Sequence, residues 1–383
     1  MFNKDTLQRF QDLETPFYFY NLPLLSQTLK ACKDAAQKFA FHVHYAMKAN
    51  FNEQVLKSIE NEGFGADCVS GNEVNKAIEL GFDSQKIVFA GVGKSDREII
   101  EALKHDIYCF NVESVQELGV INELAASQGK LAKVAIRINP NVDAHTHQYI
   151  TTGLEENKFG VNQWELPACI EVLRTSMHIQ LIGIHFHVGS QITNLEVFKS
   201  LCLKVNELNT WFLEHGFDLQ VLNVGGGLGV DYYQPDENPI NDFEGYFAIY
   251  GQFLERRPHQ EVHFELGRAL VAQCGSLISR ILYVKNGLKK NFLVLDAGMT
   301  ELMRPALYQA YHKIENISAD SGNSLVSYDV VGPICESTDC FGKEVELPES
   351  KRGDLIAIRT AGAYGEVMSS GYNLRERVQS VYL

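Results

Sequence analysis

The sequence predicts an α/β protein in which a closed (β/α)8 barrel of the TIM type is followed by an all-β domain. Short apolar strands alternate with helical patterns from about residue 40 to 270, and the first four strands start about 22 residues apart. That spacing corresponds to one β/α unit each, and eight units make a barrel of roughly 250 residues. The alternation of strands and helices ends after about residue 273, which predicts a second domain.

Eight segments carry the predicted barrel strands, and helical patterns such as NEQVLKSIENEG separate them. An open doubly wound sheet is the alternative, because periodicity alone does not show that the strands close. The polar, proline-bearing stretch 231–246 is predicted to be a loop on the barrel. In chain order the strand segments are FHVHYAMKAN, GADCVS, KIVFAG, YCFNVES, KVAIRIN, LIGIHFHVGS, LQVLNVGGG and EVHFELGR.

The C-terminal region predicts a β-sandwich or barrel-like domain with few helices. The N-terminal PFYFYNL is also strand-like and could pair with this domain. We therefore predict a barrel over residues 24–273 and a β-domain that combines residues 1–23 and 274–383. Its other predicted strands are SLISRILYVKN, NFLVLDAG, LVSYDVVG, GDLIAIRTAG and RVQSVYL.

The charge and cysteine content exclude several classes of protein. A formal net charge of −14 argues against a nucleic-acid or anionic-membrane partner, because both require a basic face. The eight scattered cysteines form no C-x-x-C pair, and the first residues lack the apolar core of a signal peptide. We therefore expect a reduced, cytoplasmic protein. The twelve histidines show no H-E-x-x-H spacing, so we expect no metal site.

Candidate catalytic residues follow the predicted barrel strands, where (β/α)8 enzymes place their active sites. A lysine buried at Lys48 would lose its proton and could form a Schiff base with an aldehyde such as that of pyridoxal phosphate. Alternatively, Lys48 extends its ammonium into solvent. The other strand-end candidates are Asp67 and Ser70 after the second strand, His187 and Ser190 after the sixth, Gly225–Gly229 after the seventh, and Glu265 and Arg268 after the eighth.

Each of these groups has a functional and a structural interpretation. The GGGLG run does not meet the G-x-G-x-x-G pattern, but its backbone N–H groups could bind a phosphate; otherwise it is a tight turn. Glu265 could hold the proton on a pyridine nitrogen, or form an ion pair with Arg268. His187 could stack on a cofactor ring, or be a hydrogen-bonded strand-end histidine.

The β-domain contributes further candidates. Arg304 and Tyr308 lie four residues apart, and an arginine suits a carboxylate. Cys335 could donate a proton or be a small buried residue. Glu336, Tyr364 and Tyr372 are polar groups in the neighbouring motifs GPICESTDCFG and TAGAYGEVMSSGYN.

Taken together, these segments resemble the fold-type III pyridoxal-phosphate decarboxylases, and most of all their diaminopimelate branch. The resemblance covers nearly the whole chain, and DAHTHQYITTG, CES and MSSGYN are its most specific parts. It departs from the family at Leu266, where proline is usual, and at Gly371, where asparagine is common. The other motifs that carry it are YAMKAN, GADCVSGNE, HFHVGSQI, NVGGGLGV, ELGRALVA and LDAGMTELMRPALYQAYH.

The resemblance implies pyridoxal 5′-phosphate as cofactor and decarboxylation of meso-2,6-diaminopimelate, a free amino acid, to L-lysine and CO2. This reaction is the last step of lysine biosynthesis. It further implies a homodimer with shared active sites, in which Cys335 of the partner subunit protonates the carbanion. The implied cofactor-binding residues are Lys48, Asp67, His187, Ser190, Gly226, Gly227, Glu265, Gly267, Arg268 and Tyr364. The implied substrate-binding residues are Arg268, Arg304 and Tyr308 for the distal carboxylate, Glu336 for the distal ammonium, and Tyr364.

Three alternatives remain at this stage. A same-fold decarboxylase of ornithine, lysine or carboxynorspermidine would not need Arg304, and in ornithine-type relatives the position of Glu336 tends to be aspartate. An alanine-racemase-like enzyme would face the ring nitrogen with an arginine rather than with Glu265. A homologue that only binds another protein would be expected to have lost cofactor groups, and here Lys48 and Cys335 are both present.

Overall fold

The computed structural model describes residues 2–141, 158–319, 322 and 324–382. The predicted motif DAHTHQYITTG lies outside the described residues. The chain separates into two compact units. The first, which we call the barrel unit, comprises Leu29–Gly229 and Asp242–Leu270. The second, which we call the β unit, comprises Met1–Thr28, Val230–Asn241 and Val271–Leu383.

The barrel unit contains a closed eight-stranded parallel barrel, as predicted, and not an open sheet. Each strand pairs with the next in chain order, and the last pairs with the first to close the ring. Most strand residues are buried, which is why these segments read as continuous apolar runs. After β1 (Phe17–Tyr20) of the β unit, the barrel strands are β2 (Phe41–Ala46), β3 (Gly65–Cys68), β4 (Ile87–Phe89), β5 (Cys109–Val112), β6 (Ala132–Arg137), β7 (Ile179–His185), β8 (Val221–Asn223) and β9 (Glu261–Leu266).

Helices connect the barrel strands, and serine caps fix where several of them begin. Ser70, Ser95 and Ser114 each accept a hydrogen bond from the backbone N–H three residues later. None of the helices in the described ranges is long and apolar enough to cross a membrane. The helices are α1 (Lys4–Gln11), α2 (Leu22–Gln37), α3 (Glu53–Asn61), α4 (Gly71–Glu79), α5 (Asp96–Lys104), α6 (Val115–Ser127), α7 (Leu166–Thr175), α8 (Glu196–Glu214), α9 (Phe243–Phe253), α10 (Arg268–Val271) and α11 (Arg304–Tyr308).

The β unit is built on one sheet that includes the N-terminal strand. Strand β1 pairs antiparallel with β10 and parallel with β16, which confirms the predicted pairing of PFYFYNL with the C-terminal strands. Its Phe17 and Phe19 pack with Phe10 and Ile278 in a buried apolar cluster. The remaining strands are β10 (Gly275–Asn286), β11 (Asn291–Leu295), β12 (Ile314–Asn316), β13 (Leu325–Val331), β14 (Cys340–Pro348), β15 (Leu355–Ile358) and β16 (Gln379–Tyr382).

The stretch 231–246 differs from its prediction as a loop on the barrel. Helix α9 already begins at Phe243, and the segment Val230–Asn241 belongs to the β unit. Two contacts within the β unit explain this grouping. Arg359 forms a two-pronged ion pair with Asp236, at 3.2 and 2.8 Å, and Gln273 donates a hydrogen bond to the carbonyl of Asp231.

Candidate active site

Lys48 lies just beyond the C-terminal end of the first barrel strand. Strand β2 ends at Ala46, earlier than the sequence predicts, and Lys48 sits in a single 3-10 turn. Its Nζ lies 3.1 Å from Oδ2 of Asp67, and its side chain is 36% exposed whereas that of Asp67 is fully buried. The lysine is therefore neither isolated in the interior nor extended into bulk solvent.

Asp67, on strand β3, has a carboxyl group whose charge is costly to maintain. Burial and the nearby Glu265 carboxylate raise its pKa to about 7, although Lys48 opposes the shift. Its Oδ1 accepts no hydrogen bond from any described residue. This buried oxygen is therefore available to a donor from a bound molecule.

Glu265, on strand β9, is held by three donors from other barrel strands. Asn111 and Asn223 donate to Oε1 at 2.9 and 2.8 Å, and His185 Nε2 lies 2.9 Å from Oε2. Burial alone would raise the pKa of Glu265, but the charge and hydrogen bond of His185 outweigh it and keep this pKa well below its usual value. A carboxylate has about four acceptor positions, so roughly one remains for a further N–H donor.

Sequence reasoning did not identify Asn111, His185 and Asn223 as part of this site. All three are buried polar residues on β5, β7 and β8 respectively. The available signal was a polar side chain within an otherwise apolar strand segment, because a buried amide or imidazole needs a partner. Their common partner, Glu265, could not be read from sequence spacing.

The glycine run after strand β8 packs directly against the backbone of neighbouring strands. A Cβ atom on Gly226 would lie 2.0 Å from the carbonyl oxygen of Glu265, and one on Gly225 would lie 2.1 Å from that of Phe186. The N–H groups of Gly226 and Gly227 donate to no group in the described part of the chain. These two donors suit an anion such as a phosphate.

Asn223 links this glycine run to Glu265. Its Oδ1 accepts the N–H of Gly225 at 3.0 Å, while its Nδ2 donates to Glu265. Gly267, two residues after Glu265, packs against Ala49 in the turn that carries Lys48, where a Cβ atom would lie only 3.0 Å away. The three strand ends that carry the lysine, the carboxylate and the glycines are thus fixed by direct contacts.

His187 and Ser190 follow strand β7, and Arg268 follows β9. Arg268 Nη2 donates to the Ser190 hydroxyl at 2.9 Å. His187 is half-buried, and its pKa lies well below its usual value because of desolvation and the positive charges of Lys48 and Arg137. A neutral imidazole can stack on an aromatic ring without an added charge.

A buried ion pair that the sequence did not suggest lies near the same strand ends. Arg137 Nη1 contacts Oε1 of Glu113 at 2.8 Å, and the N–H groups of Gly91 and Gly160 also donate to Glu113. Burial would raise the pKa of Glu113, but Arg137 and the other donors lower it. This pair fixes Arg137 as a cation whose field reaches His187.

The β unit holds the other predicted site residues. Arg304 and Tyr308 are the first and last residues of α11. Arg304 is buried, its guanidinium lies 5.2 Å from the ring centre of Tyr232, and Nη1 contacts the carbonyl of Ala363 at 3.5 Å. The next residue, Tyr364, is half-buried and has a φ of +57°, a backbone conformation that a tyrosine rarely adopts.

Cys335 and Glu336 occupy an exposed loop between β13 and β14. The buried Asp339 shapes this loop by accepting the N–H groups of Met299 and Ile334 at 2.6 and 2.7 Å. Glu336 accepts a hydrogen bond from the Tyr372 hydroxyl at 2.8 Å. Cys335 is exposed, which does not fit its interpretation as a small buried residue.

The features of the barrel unit fit pyridoxal phosphate. The N–H groups of Gly226 and Gly227 suit the phosphate, and Glu265 stays ionised with one acceptor position left for a protonated ring nitrogen. An accessible lysine, an ionised carboxylate and a glycine run with N–H groups that suit an anion are the features expected of a barrel enzyme that carries this cofactor at the C-terminal ends of its strands.

The comparison with protein families identifies the particular family. The profile described as "Pyridoxal-dependent decarboxylase, pyridoxal binding domain" matches residues 25–272. The chain belongs to the pyridoxal-dependent decarboxylases. It is 55% identical over 371 residues to a diaminopimelate decarboxylase of Bacteroides thetaiotaomicron, and the match covers 97% of this chain and 96% of that relative.

Solved structures give the same result for the fold. A crystal structure of diaminopimelate decarboxylase from Helicobacter pylori complexed with L-lysine matches with a TM-score of 0.92 and 40% identity, over 98% of this chain and 93% of that one. A lysine/ornithine decarboxylase from Vibrio vulnificus matches with a TM-score of 0.85 at 21% identity, over 100% and 99% of the two chains. The fold alone therefore does not select the substrate.

Proposed function

We propose that this chain is a decarboxylase that uses pyridoxal 5′-phosphate to convert meso-2,6-diaminopimelate to L-lysine and CO2, the last step of lysine biosynthesis. The observation that carries the proposal is the environment of Glu265, whose carboxylate three barrel residues hold in the ionised form. The 55% identity to a relative named as a diaminopimelate decarboxylase supports the substrate.

The barrel unit would hold the cofactor through groups of different chemistry. Lys48 would hold its aldehyde carbon, with Asp67 beside the amine. Gly226, Gly227, Ser190 and the backbone at Gly267 and Arg268 would bind the phosphate, helped by Tyr364. Glu265 would retain a proton on the ring nitrogen, and His187 would lie against the ring face. The bound cofactor supplies an electron-poor ring that accepts the electron pair of the breaking C–C bond.

The distal end of the substrate carries both a carboxylate and an ammonium, so it requires groups of both signs. We assign Arg268, Arg304 and Tyr308 to the carboxylate and Glu336 to the ammonium. Tyr364 would also contact the substrate. The burial of Arg304 supports this assignment, because a desolvated guanidinium binds a carboxylate strongly. Ornithine and lysine lack the second carboxylate and would offer no negative charge to this desolvated guanidinium.

We further propose that the enzyme is a homodimer in which Cys335 of each chain serves the other chain's substrate. The exposure of Cys335 on the single chain supports this. The free thiols of all eight cysteines, six of them buried, support a reducing compartment such as the cytoplasm. The barrel domain would span residues 24–273, and the β-domain would combine residues 1–23 and 274–383.

The test is to incubate the purified protein and pyridoxal phosphate with meso-diaminopimelate and to measure L-lysine and CO2. Ornithine, lysine and arginine are assayed in parallel. We expect L-lysine from meso-diaminopimelate, with turnover of the other three near background. Turnover of ornithine or lysine at a higher kcat/KM than diaminopimelate would overturn the substrate assignment and leave the cofactor assignment intact.

Lys48→Ala is the control for the cofactor assignment. We expect this variant to lose the visible absorption of the cofactor bound to the lysine and to lose turnover, because it lacks the protein amine that would hold the aldehyde carbon. Activity comparable to that of the unaltered protein would contradict the role of Lys48. Circular dichroism of the variant shows whether the barrel is still folded.

A further inference from the structure

A second polar cluster lies at the opposite, N-terminal end of the barrel strands. It consists of His42 on β2 and Glu261 and His263 on β9, each of which offers one ligand atom within 4.8 Å of the others. His42 and His263 face each other in the register of the two strands. Glu261 and His263 are two residues apart, so their side chains project to the same side of β9. Among the described residues this is the one such group of histidine, cysteine and carboxylate side chains.

The hydrogen bonds of His44 determine which nitrogen of His263 is available. His44 Nδ1 lies 2.9 Å from the carbonyl oxygen of Lys86, which can only accept, so Nδ1 carries a proton. His44 Nε2 lies 2.8 Å from His263 Nδ1, so this contact occupies the Nδ1 atom of His263. Nε2 is therefore the His263 nitrogen that remains for another partner.

That nitrogen faces a carboxylate. His263 Nε2 lies 3.2 Å from Oε2 of Glu261, a separation that either a shared proton or a cation bound by both atoms would explain. In a tetrahedral zinc site, metal–ligand distances of about 2.0 to 2.2 Å place neighbouring nitrogen and oxygen ligands about 3.4 Å apart. The observed separation is close to that value. The second imidazole, His42, places a ligand atom within 4.8 Å of both, which a proton shared between His263 and Glu261 would not require.

The surroundings resemble those of a metal ion in two further respects. The hydrogen bond between His263 Nδ1 and His44 Nε2 fixes the orientation of the ring, as outer partners of metal-bound histidines commonly do. The ring of Tyr108 stacks on His263 at 5.4 Å between centroids and covers it on one side. His42 and Glu261 are exposed and border a cavity of about 370 Å³, through which an ion can enter.

We propose that His42, Glu261 and His263 bind a zinc ion, with water completing the tetrahedron. Two imidazoles and one carboxylate are ligands that suit zinc among the common divalent ions. The ion joins β2, the first barrel strand, to β9, the last, at the seam where the barrel closes. The ion therefore connects these two strands through their side chains, and its binding does not depend on the proposed decarboxylase activity.

The histidine spacing in the sequence predicts no metal site, and the proposed zinc site differs from that prediction. His42 and Glu261 are more than two hundred residues apart in the sequence. Only closure of the barrel brings β2 and β9 together. A search for short ligand motifs such as H-E-x-x-H cannot find such a pair.

The experiment measures zinc in the whole 383-residue chain loaded with pyridoxal phosphate. The protein is treated with a chelator, dialysed against buffer with micromolar zinc chloride, and analysed for zinc per chain and for its thermal unfolding midpoint. We expect one zinc ion per chain and a higher midpoint with zinc than without. In His42→Ala and Glu261→Gln, whose altered side chains are exposed, we expect zinc affinity to fall by at least about tenfold and the rise in midpoint to disappear.

His259→Ala is the matched control, because His259 is an exposed histidine 3.2 Å from the Asp218 carboxylate but outside the cluster. It should bind zinc like the unaltered protein. Circular dichroism without zinc verifies that each variant is folded. The proposal is overturned if the unaltered protein binds no zinc, in which case His263 and Glu261 form a simple ion pair. It is also overturned if His42→Ala and Glu261→Gln retain the zinc and the stabilisation.

Discussion

The pKa of the Asp67 carboxyl lies near neutral pH, far above its usual value. Its pKa is raised from 3.8 to about 7 by burial and by Glu265. Because the folded protein holds this proton more tightly than the unfolded chain, stability falls as the pH rises from about 4 to about 7. Glu265, whose pKa is lowered, contributes stability that is lost only at pH values below its unfolded pKa, so it does not affect this range.

We therefore expect Asp67→Asn to stabilise the cofactor-free protein more at high pH than at low pH. Each pKa unit corresponds to about 1.4 kcal/mol, so the stability difference should grow by about 1–3 kcal/mol between about pH 5 and about pH 8. Urea unfolding at the two pH values measures it. Asp34→Asn, at an exposed position on α2, is the control and should show no such growth. An equal effect of Asp67→Asn at both pH values would mean that Asp67 does not titrate in this range.

At the residue scale, the sequence predicted the groups that stand out chemically but not those that hold them. A lysine and a glutamate at the ends of apolar strands are unusual enough to be noticed, and Lys48 and Glu265 were predicted as site residues on that ground. Asn111, His185 and Asn223 are ordinary polar residues whose importance depends on converging on one carboxylate. The three residues meet at Glu265 only because the barrel closes, so the spacing of residues in the sequence does not reveal this arrangement.

At the element scale, a substitution in the glycine run after β8 would show how closely the backbone is packed at the site. In Gly226→Ala the new methyl group would meet the carbonyl oxygen of Glu265 at 2.0 Å, and neither is the end of a flexible side chain. We expect the loop to shift, with a loss of about 1–3 kcal/mol of stability. The displaced N–H groups should weaken binding of pyridoxal phosphate by about tenfold or more.

The measurements are a titration with pyridoxal phosphate, followed by absorption, and thermal unfolding with and without cofactor. Gly93→Ala is the matched control, because Gly93 also lies in a strand-to-helix loop but a Cβ atom there meets nothing within 4 Å. It should bind the cofactor like the unaltered protein. If Gly226→Ala does so too, the glycine run is only a turn and the phosphate must bind elsewhere.

The elements that the sequence predicted well are those with a strong repeating pattern. All eight barrel strands and the pairing of the N-terminal strand are present because long apolar runs and regular spacing specify them. Strand β12 has three residues, and β14 (CFGKEVELP) is largely polar, so neither stood out. The segment Val230–Asn241 has the amino-acid composition of a loop. Its grouping with the β unit depends on a contact with Arg359, which is remote in the sequence.

At the scale of the whole molecule, the placement of Cys335 bears on why the enzyme would need two chains. The loop that carries it is shaped by the buried Asp339, yet the thiol itself is exposed on the single chain. A proton donor is useful only if it is shielded and close to its substrate. A second subunit that receives this loop would satisfy both requirements, and neither chain alone would be active.

Mixing two inactive variants distinguishes a shared site from one contained in a single chain. Lys48→Ala lacks the lysine, and Cys335→Ala lacks the thiol, so neither homodimer should turn over. If sites are shared, each mixed dimer has one site with both groups, and random pairing of equal amounts should restore roughly a quarter of the original activity. The assay is lysine formation after the subunits have exchanged, and mass spectrometry of the intact dimers verifies the exchange.

The control pairs Lys48→Ala with the double variant that carries both substitutions. No mixed dimer of that pair has a site with both groups, so activity should stay at background even though the subunits exchange equally well. Recovery in this control would point to contamination or to a site that needs no Lys48. Absence of recovery in the first mixture, with mixed dimers present, would place lysine and thiol in the same chain. The exposed thiol of Cys335 would then need a different explanation, such as closure of its own loop over the substrate.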